Sequence, residues 1–85
     1  MPAKKFLIPE KIRKNTYKFP RGIQKRLPLI FVEIKKNPII GIKLQGRLAG
    51  YYKARLGDYR IVYRFDTKTS TVVILKIEHR QGVYK

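Results

Sequence analysis

The residues with chemical potential lie in the last third of the chain. They form two runs, Tyr52-Lys53-Ala54-Arg55-Leu56-Gly57-Asp58-Tyr59-Arg60 and Glu78-His79-Arg80-Gln81-Gly82-Val83-Tyr84-Lys85. Basic side chains recur there at strand spacing with apolar residues between them. Alternate residues of a strand share a face, so Lys53, Arg55, Arg60, Arg64, Lys76 and Arg80 gather on one side of a small sheet. A merely solvated face would mix signs, whereas this one is nearly all cationic. Tyr51 and Tyr84 lie beside it, and tyrosine rings stack on bases. A cationic face with flanking tyrosines points to a polyanion, and specifically to chemistry on RNA.

Composition agrees with that direction. Lys and Arg number 21 against five acids, for a formal charge of +16, so self-repulsion opposes compaction and an anionic partner relieves it. The 44% hydrophobic content, with six Tyr and four Phe, separates the chain from disordered basic tails. No cysteine is present, which excludes disulfides and thiolate zinc sites, and the lone His79 leaves little for a metal. No metal or other cofactor is expected. No apolar run approaches membrane-spanning length. The stretch Lys4-Lys5-Phe6-Leu7-Ile8-Pro9 is too short for a signal segment. A single domain over residues 1–85, cytoplasmic and without a membrane partner, is the expectation.

The elements that must position these residues are legible from periodicity. Phe6-Leu7-Ile8, ended by Pro9, predicts a first strand. Pro9 suits the first position of a helix over 9–18, with Glu10 favourable in its first turn. Phe19-Pro20-Arg21-Gly22 reads as a turn. Ile23, Leu27, Ile30 and Ile34 then mark the buried stripe of an amphipathic helix over 22–36. Pro28 inside it costs about 3 kcal/mol in a helix interior, so the helix kinks there or two helices abut. Asn37-Pro38 closes the segment, and 38–46 reads as a linker. Strands follow over 50–56, 59–65 and 71–78, joined by Gly57-Asp58 and by a turn at 66–70. Such short connections imply an antiparallel meander. The resulting fold class is α+β, two N-terminal helices packed on a small curved antiparallel sheet. Alternation puts Tyr51, Lys53 and Arg55 on one face with Arg60, Val62 and Arg64, and with Ile74, Lys76, Glu78 and Arg80. His79 falls on the opposite face with Val73, Leu75 and Ile77.

The run Lys43-Leu44-Gln45-Gly46, then Gly50-Tyr51-Tyr52-Lys53-Ala54-Arg55-Leu56-Gly57-Asp58-Tyr59-Arg60-Ile61-Val62-Tyr63, resembles the RelE branch of the RelE/ParE toxin superfamily. The ending His79-Arg80-Gln81-Gly82-Val83-Tyr84 is similar to that family's terminal Arg-x-x-x-Tyr signature. The resemblance covers residues 34–85 in detail and the rest in layout. It implies a toxin of a type II toxin–antitoxin pair: a metal-independent endoribonuclease that cleaves mRNA in the ribosomal A site. It also implies a cognate antitoxin and a ribosome carrying mRNA as partners, with ribosomal RNA phosphates close to the basic surface.

The family's catalytic set falls on Lys53, Arg55, Arg60, Arg80 and Tyr84. Lys43, Arg47, Tyr51, Arg64 and Lys76 are the surrounding candidate RNA contacts. RNA supplies its own nucleophile, the 2′-OH. The enzyme must remove that proton, stabilise the phosphorane and assist the departing 5′-oxygen. Arg60 and Arg80 present planar forks suited to phosphate oxygens. Lys53, crowded by cations, is the candidate base. Some relatives carry Lys where this chain has Arg55, and arginine stays protonated, so Arg55 is assigned an electrostatic role. Tyr84 stacks on a base, orients the 2′-OH or anchors the tail. Two other readings stand beside this one: a ParE-like toxin that poisons DNA gyrase, and a non-catalytic basic RNA-binding module.

Overall fold

The computed structural model describes residues 2–44 and 50–79. Its elements are strand β1 (Lys5–Leu7), helix α1 (Glu10–Asn15) with a 3₁₀ turn (Thr16–Lys18), helix α2 (Arg21–Lys36), and strands β2 (Ile42–Lys43), β3 (Tyr51–Leu56), β4 (Tyr59–Asp66) and β5 (Thr71–His79). The strands form one sheet in the order β1-β5-β4-β3-β2. Two helices on one sheet, in the expected order, is the observed architecture.

Each helix is bounded by its local chemistry. Pro9 and Pro20 precede the first turns of α1 and α2 in extended conformation. α1 ends early because Thr16 Oγ1 donates to the Arg13 carbonyl at 2.7 Å, and the chain tightens into the 3₁₀ turn. The Gln24 side-chain amide donates to the carbonyls of Phe19 and Tyr17, at 2.7 and 3.1 Å, and ties the corner between the helices. α2 runs through Pro28 as one helix, which settles the choice between one helix and two. Pro28 lies on its exposed side, where a lost backbone bond costs least. Lys35 and Lys36 oppose the negative end of the helix dipole. The Ala3 amide caps the Lys35 carbonyl at 2.7 Å.

The apolar stripe of α2 makes the core. Leu27 and Ile34 are buried against Leu56, Ile61, Tyr63, Val72 and Ile74, with Ile23, Ile30 and Phe31 packed around them. On the sheet side Tyr63 is the largest fully buried side chain. Its hydroxyl donates to the Pro38 carbonyl at 2.8 Å and accepts from the Gly41 amide at 3.1 Å. The segment after α2 is thereby pinned to the sheet. A Cβ at Gly41 would sit 2.7 Å from the Lys53 carbonyl oxygen and 2.8 Å from the Tyr63 hydroxyl, so only glycine fits there.

Three features differ from the sequence expectation. The sheet is mixed, because β1 pairs in parallel with β5 (Lys5↔Thr71 to Leu7↔Val73). No short turn links those two strands, so no hairpin geometry dictates their direction. The supposed linker contains β2, which pairs antiparallel with β3. Finally, the β4–β5 register shifts between Val62 and Tyr63. Val62 faces Lys76 while Tyr63 faces Ile74, which leaves Leu75 as an extra residue. A bulge of this kind breaks strict alternation. Ile74 therefore belongs to the core and not to the cationic face, and it is fully buried.

Candidate active-site face of the sheet

The register arranges the basic residues in rows across the sheet. Directly opposed residues of neighbouring strands share a face. Arg55 opposes Arg60, and Arg60 opposes Glu78. One step along, Ile42 opposes Lys53, Lys53 opposes Val62 and Val62 opposes Lys76. A further step pairs Tyr51 with Arg64. Lys53, Arg55, Arg60, Arg64, Lys76 and Tyr51 thus share the face away from the helices. The turn that aligns β3 and β4 needs Gly57, whose φ of 59° is left-handed.

Of the remaining expected residues, Lys43 is the one the structure describes. Lys43 opposes Tyr52, whose ring stacks on Tyr63 at 5.5 Å on the helix side, so Lys43 does not join Lys53. Arg47, Arg80 and Tyr84 lie outside the described residues. His79 is kept off the cationic face: it opposes Tyr59 and meets that ring edge-on at 4.9 Å, and Tyr59 in turn packs on Phe19 at 4.7 Å.

Charge on this face is organised around one carboxylate. Glu78 Oε1 accepts from Arg60 Nη2 at 3.2 Å and lies 3.8 Å from Lys76 Nζ. Arg60 and Glu78 are each about two-thirds buried, with side-chain exposures of 30% and 31%. Arg60 Nε is buried and has no hydrogen-bond partner among the described residues. Arg55, Arg64 and Lys76 are exposed, and Lys53 and Tyr51 are partly buried.

A cleft of about 500 Å³ is lined by Lys53, Arg55 and Arg60, by Ile30 and Glu33 of α2, and by Ile40 and Ile42. The isoleucines in this lining were not anticipated. Their only sequence signal is the run Ile39-Ile40 and Ile42 within a stretch that otherwise reads as linker. Among the described residues, no cluster of His, Asp and Glu is placed to hold a metal, and no helix is long and apolar enough to cross a membrane.

Residues 7–84 match the family described as the ParE toxin of type II toxin–antitoxin systems, parDE. The chain belongs to the RelE/ParE superfamily of type II toxins. Its relatives place it on the RelE side. It is 36% identical over 75 residues to the toxin RelG of Mycobacterium tuberculosis, covering 86% of each chain. It is 33% identical over 79 residues to the toxin RelE of the same organism, covering 92% of this chain and 71% of that one. Among solved structures, the RelBE2 toxin–antitoxin complex of M. tuberculosis superposes with a TM-score of 0.79 at 32% identity, covering 94% of this chain and 100% of the other. The archaeal RelE–RelB complex of Pyrococcus horikoshii gives 0.76 at 26% identity, covering 94% and 97%. The isolated Escherichia coli RelE toxin gives 0.77 at 26% identity, covering 96% and 92%.

Proposed function

We propose that this toxin is a ribosome-dependent endoribonuclease that cleaves mRNA in the A site and so stops translation. The observation that carries the proposal is the direct opposition of Arg55 and Arg60 with Lys53 two residues along β3, on one open face. Three cations at that spacing match the needs of phosphodiester transfer within RNA. Names of the relatives add support, because RelE-type toxins combine this fold with nuclease activity.

The reaction needs no outside nucleophile. The 2′-oxygen attacks the adjacent phosphorus and its proton passes to Lys53 as the general base. Arg60 and Arg80 hold the phosphorane oxygens, and Arg55 adds positive potential. The bond from phosphorus to the 5′-oxygen then breaks, and that oxygen takes up the proton that Lys53 removed from the 2′-OH. The products are a 2′,3′-cyclic phosphate and a 5′-hydroxyl. Arg80 and Tyr84 enter through the terminal signature, with Tyr84 stacking on a base or orienting the 2′-OH. Arg64, Lys76 and Tyr51, with Lys43 and Arg47 at the periphery, are proposed RNA contacts.

The cytoplasm, where translating ribosomes reside, is the proposed site of action. The proposed protein partner is a cognate antitoxin. Leu29, Val32, Ile39, Ile40 and Ile42 are each at least half exposed beside a strongly basic surface, which suits an amphipathic acidic segment.

The test is to map mRNA 5′ ends in a translation reaction with the toxin and with its Arg60→Ala variant. New ends within the A-site codon, absent with the variant, are expected. The family match itself carries the ParE name, which favours one competing reading, a gyrase poison. Trapped gyrase–DNA breaks with intact mRNA would support that reading instead.

A further inference from the structure

The carboxylate on an otherwise basic face needs an explanation. Glu78 lies beside two cations that a polyanion would also seek, and it weakens the general attraction for RNA. Three observations give it a role. First, Arg55 and Arg60 are directly opposed, with about 5 Å between Cβ atoms in such pairs, and like charges so placed repel. Second, Glu78 opposes Arg60 on the other flank. It balances that repulsion from the far side. Third, Glu78 is the one hydrogen-bond acceptor holding the Arg60 guanidinium among the described residues, since the buried Nε has none. Without Glu78, no other described hydrogen bond fixes the plane of the fork.

We propose that Glu78 is a positioning residue for Arg60. It draws Nη2 toward β5, keeps the guanidinium clear of Arg55, and so holds two arginines at a spacing where both reach one phosphate. The proposal rests on the nuclease reading above. It also assigns Lys76 a secondary part, because both cations share the same carboxylate oxygen, Oε1. Binding and chemistry should then respond in opposite directions. Removing the carboxylate leaves the face more basic and RNA affinity equal or stronger, while the reaction slows because Arg60 is loose.

The experiment compares Glu78→Gln, Glu78→Asp and Glu78→Ala with wild type on ribosomes programmed with a defined mRNA. Cleavage rate at saturation, KM and Tm are measured. For Glu78→Gln and Glu78→Ala the rate should fall roughly tenfold, the scale of one lost charge-assisted hydrogen bond, with KM not raised. Glu78→Asp should recover part of the loss. Arg60→Ala/Glu78→Ala should be no slower than Arg60→Ala alone, because Glu78 acts through Arg60. An unchanged or faster rate in Glu78→Ala would overturn the proposal, as would multiplying losses in the double variant. A rate loss that merely tracks a falling Tm would overturn it too. A second arm does not depend on cleavage. The Arg60 Nε–H signal is followed by nuclear magnetic resonance with a 2′-O-methyl RNA trinucleotide. Its exchange with water should quicken in Glu78→Gln, and identical behaviour in the two proteins would overturn the proposal. If wild type cleaves nothing, the nuclease reading fails and this second arm alone decides the role of Glu78.

Discussion

Arg55 and Arg60 face each other across the β3–β4 hairpin, the second residue pair in from the Gly57-Asp58 turn. A tight turn and a rigid pair of strands therefore hold two permanent cations side by side, which a folded protein otherwise avoids. The two are unequal. Arg60 is largely buried and bonded to Glu78, whereas Arg55 is exposed. Arg60→Ala should lower cleavage at least about a hundredfold, the usual scale for a lost oxyanion donor, with little change in Tm. Arg55→Ala should cost about tenfold, and adding salt should shrink that difference. Single-turnover assays at two salt concentrations check both.

Lysine at position 60 keeps the charge but loses the planar fork. Arg60→Lys should therefore behave much like Arg60→Ala in rate while keeping wild-type affinity for a non-cleavable RNA. Filter binding beside the cleavage assay separates the two quantities.

The pin between Tyr63 and the segment after α2 makes a stability prediction. Tyr63→Phe loses both the bond to Pro38 and the bond from Gly41, which should cost about 1–3 kcal/mol in urea unfolding. Burial also raises the Tyr63 pKa above its ordinary value of 10.0, against the bond from Gly41, which acts the other way. With the folded value raised, the unfolded state deprotonates first as pH rises. The contribution is intact below pH 10 and lost as pH climbs through the folded value. Tyr63→Phe should remove this part of the alkaline slope, which unfolding curves on either side of pH 10 would show.

Gly41→Ala should be the more damaging change at this pin. Its methyl group meets the Lys53 carbonyl and the Tyr63 hydroxyl at under 3 Å. The segment must lift, and Lys53 moves with its backbone. Both a lower Tm and slower cleavage are expected, whereas Gly22→Ala, with nothing within 4 Å, should be neutral or stabilising.

Much of this was written in local pattern. The stripe Ile23, Leu27, Ile30 and Ile34 marks α2 because core burial follows helical periodicity. The short Gly57-Asp58 connection fixes the β3–β4 register, so the grouping of Lys53, Arg55 and Arg60 follows from alternation alone. What escaped depends on distant partners. The parallel β1–β5 pairing joins residues 66 positions apart, as Lys5↔Thr71 shows, and no local signal encodes it. The bulge at Leu75 is invisible because Ile74 and Leu75 are equally apolar. Counting by twos through it sends Ile74 to the wrong face. The facing of Lys43 was likewise not legible, since the two-residue strand β2 takes it from its pairing with Tyr52 and Lys53.

The core offers a control that leaves the site untouched. Ile34 is fully buried on α2, and Ile34→Ala should lower stability by about 2–5 kcal/mol. Cleavage at a temperature where the variant stays folded should be unchanged, which denaturant titration and a parallel activity assay would establish.

The central claim is that the cationic face of β3 and β4 cuts mRNA on the ribosome. Primer-extension mapping of 5′ ends on a translated message tests it most directly, comparing wild type, Arg60→Ala and a reaction without ribosomes. The account predicts new ends inside the A-site codon with wild type alone, and only when ribosomes are present. Intact message with wild type, or equal cutting by Arg60→Ala, would contradict it.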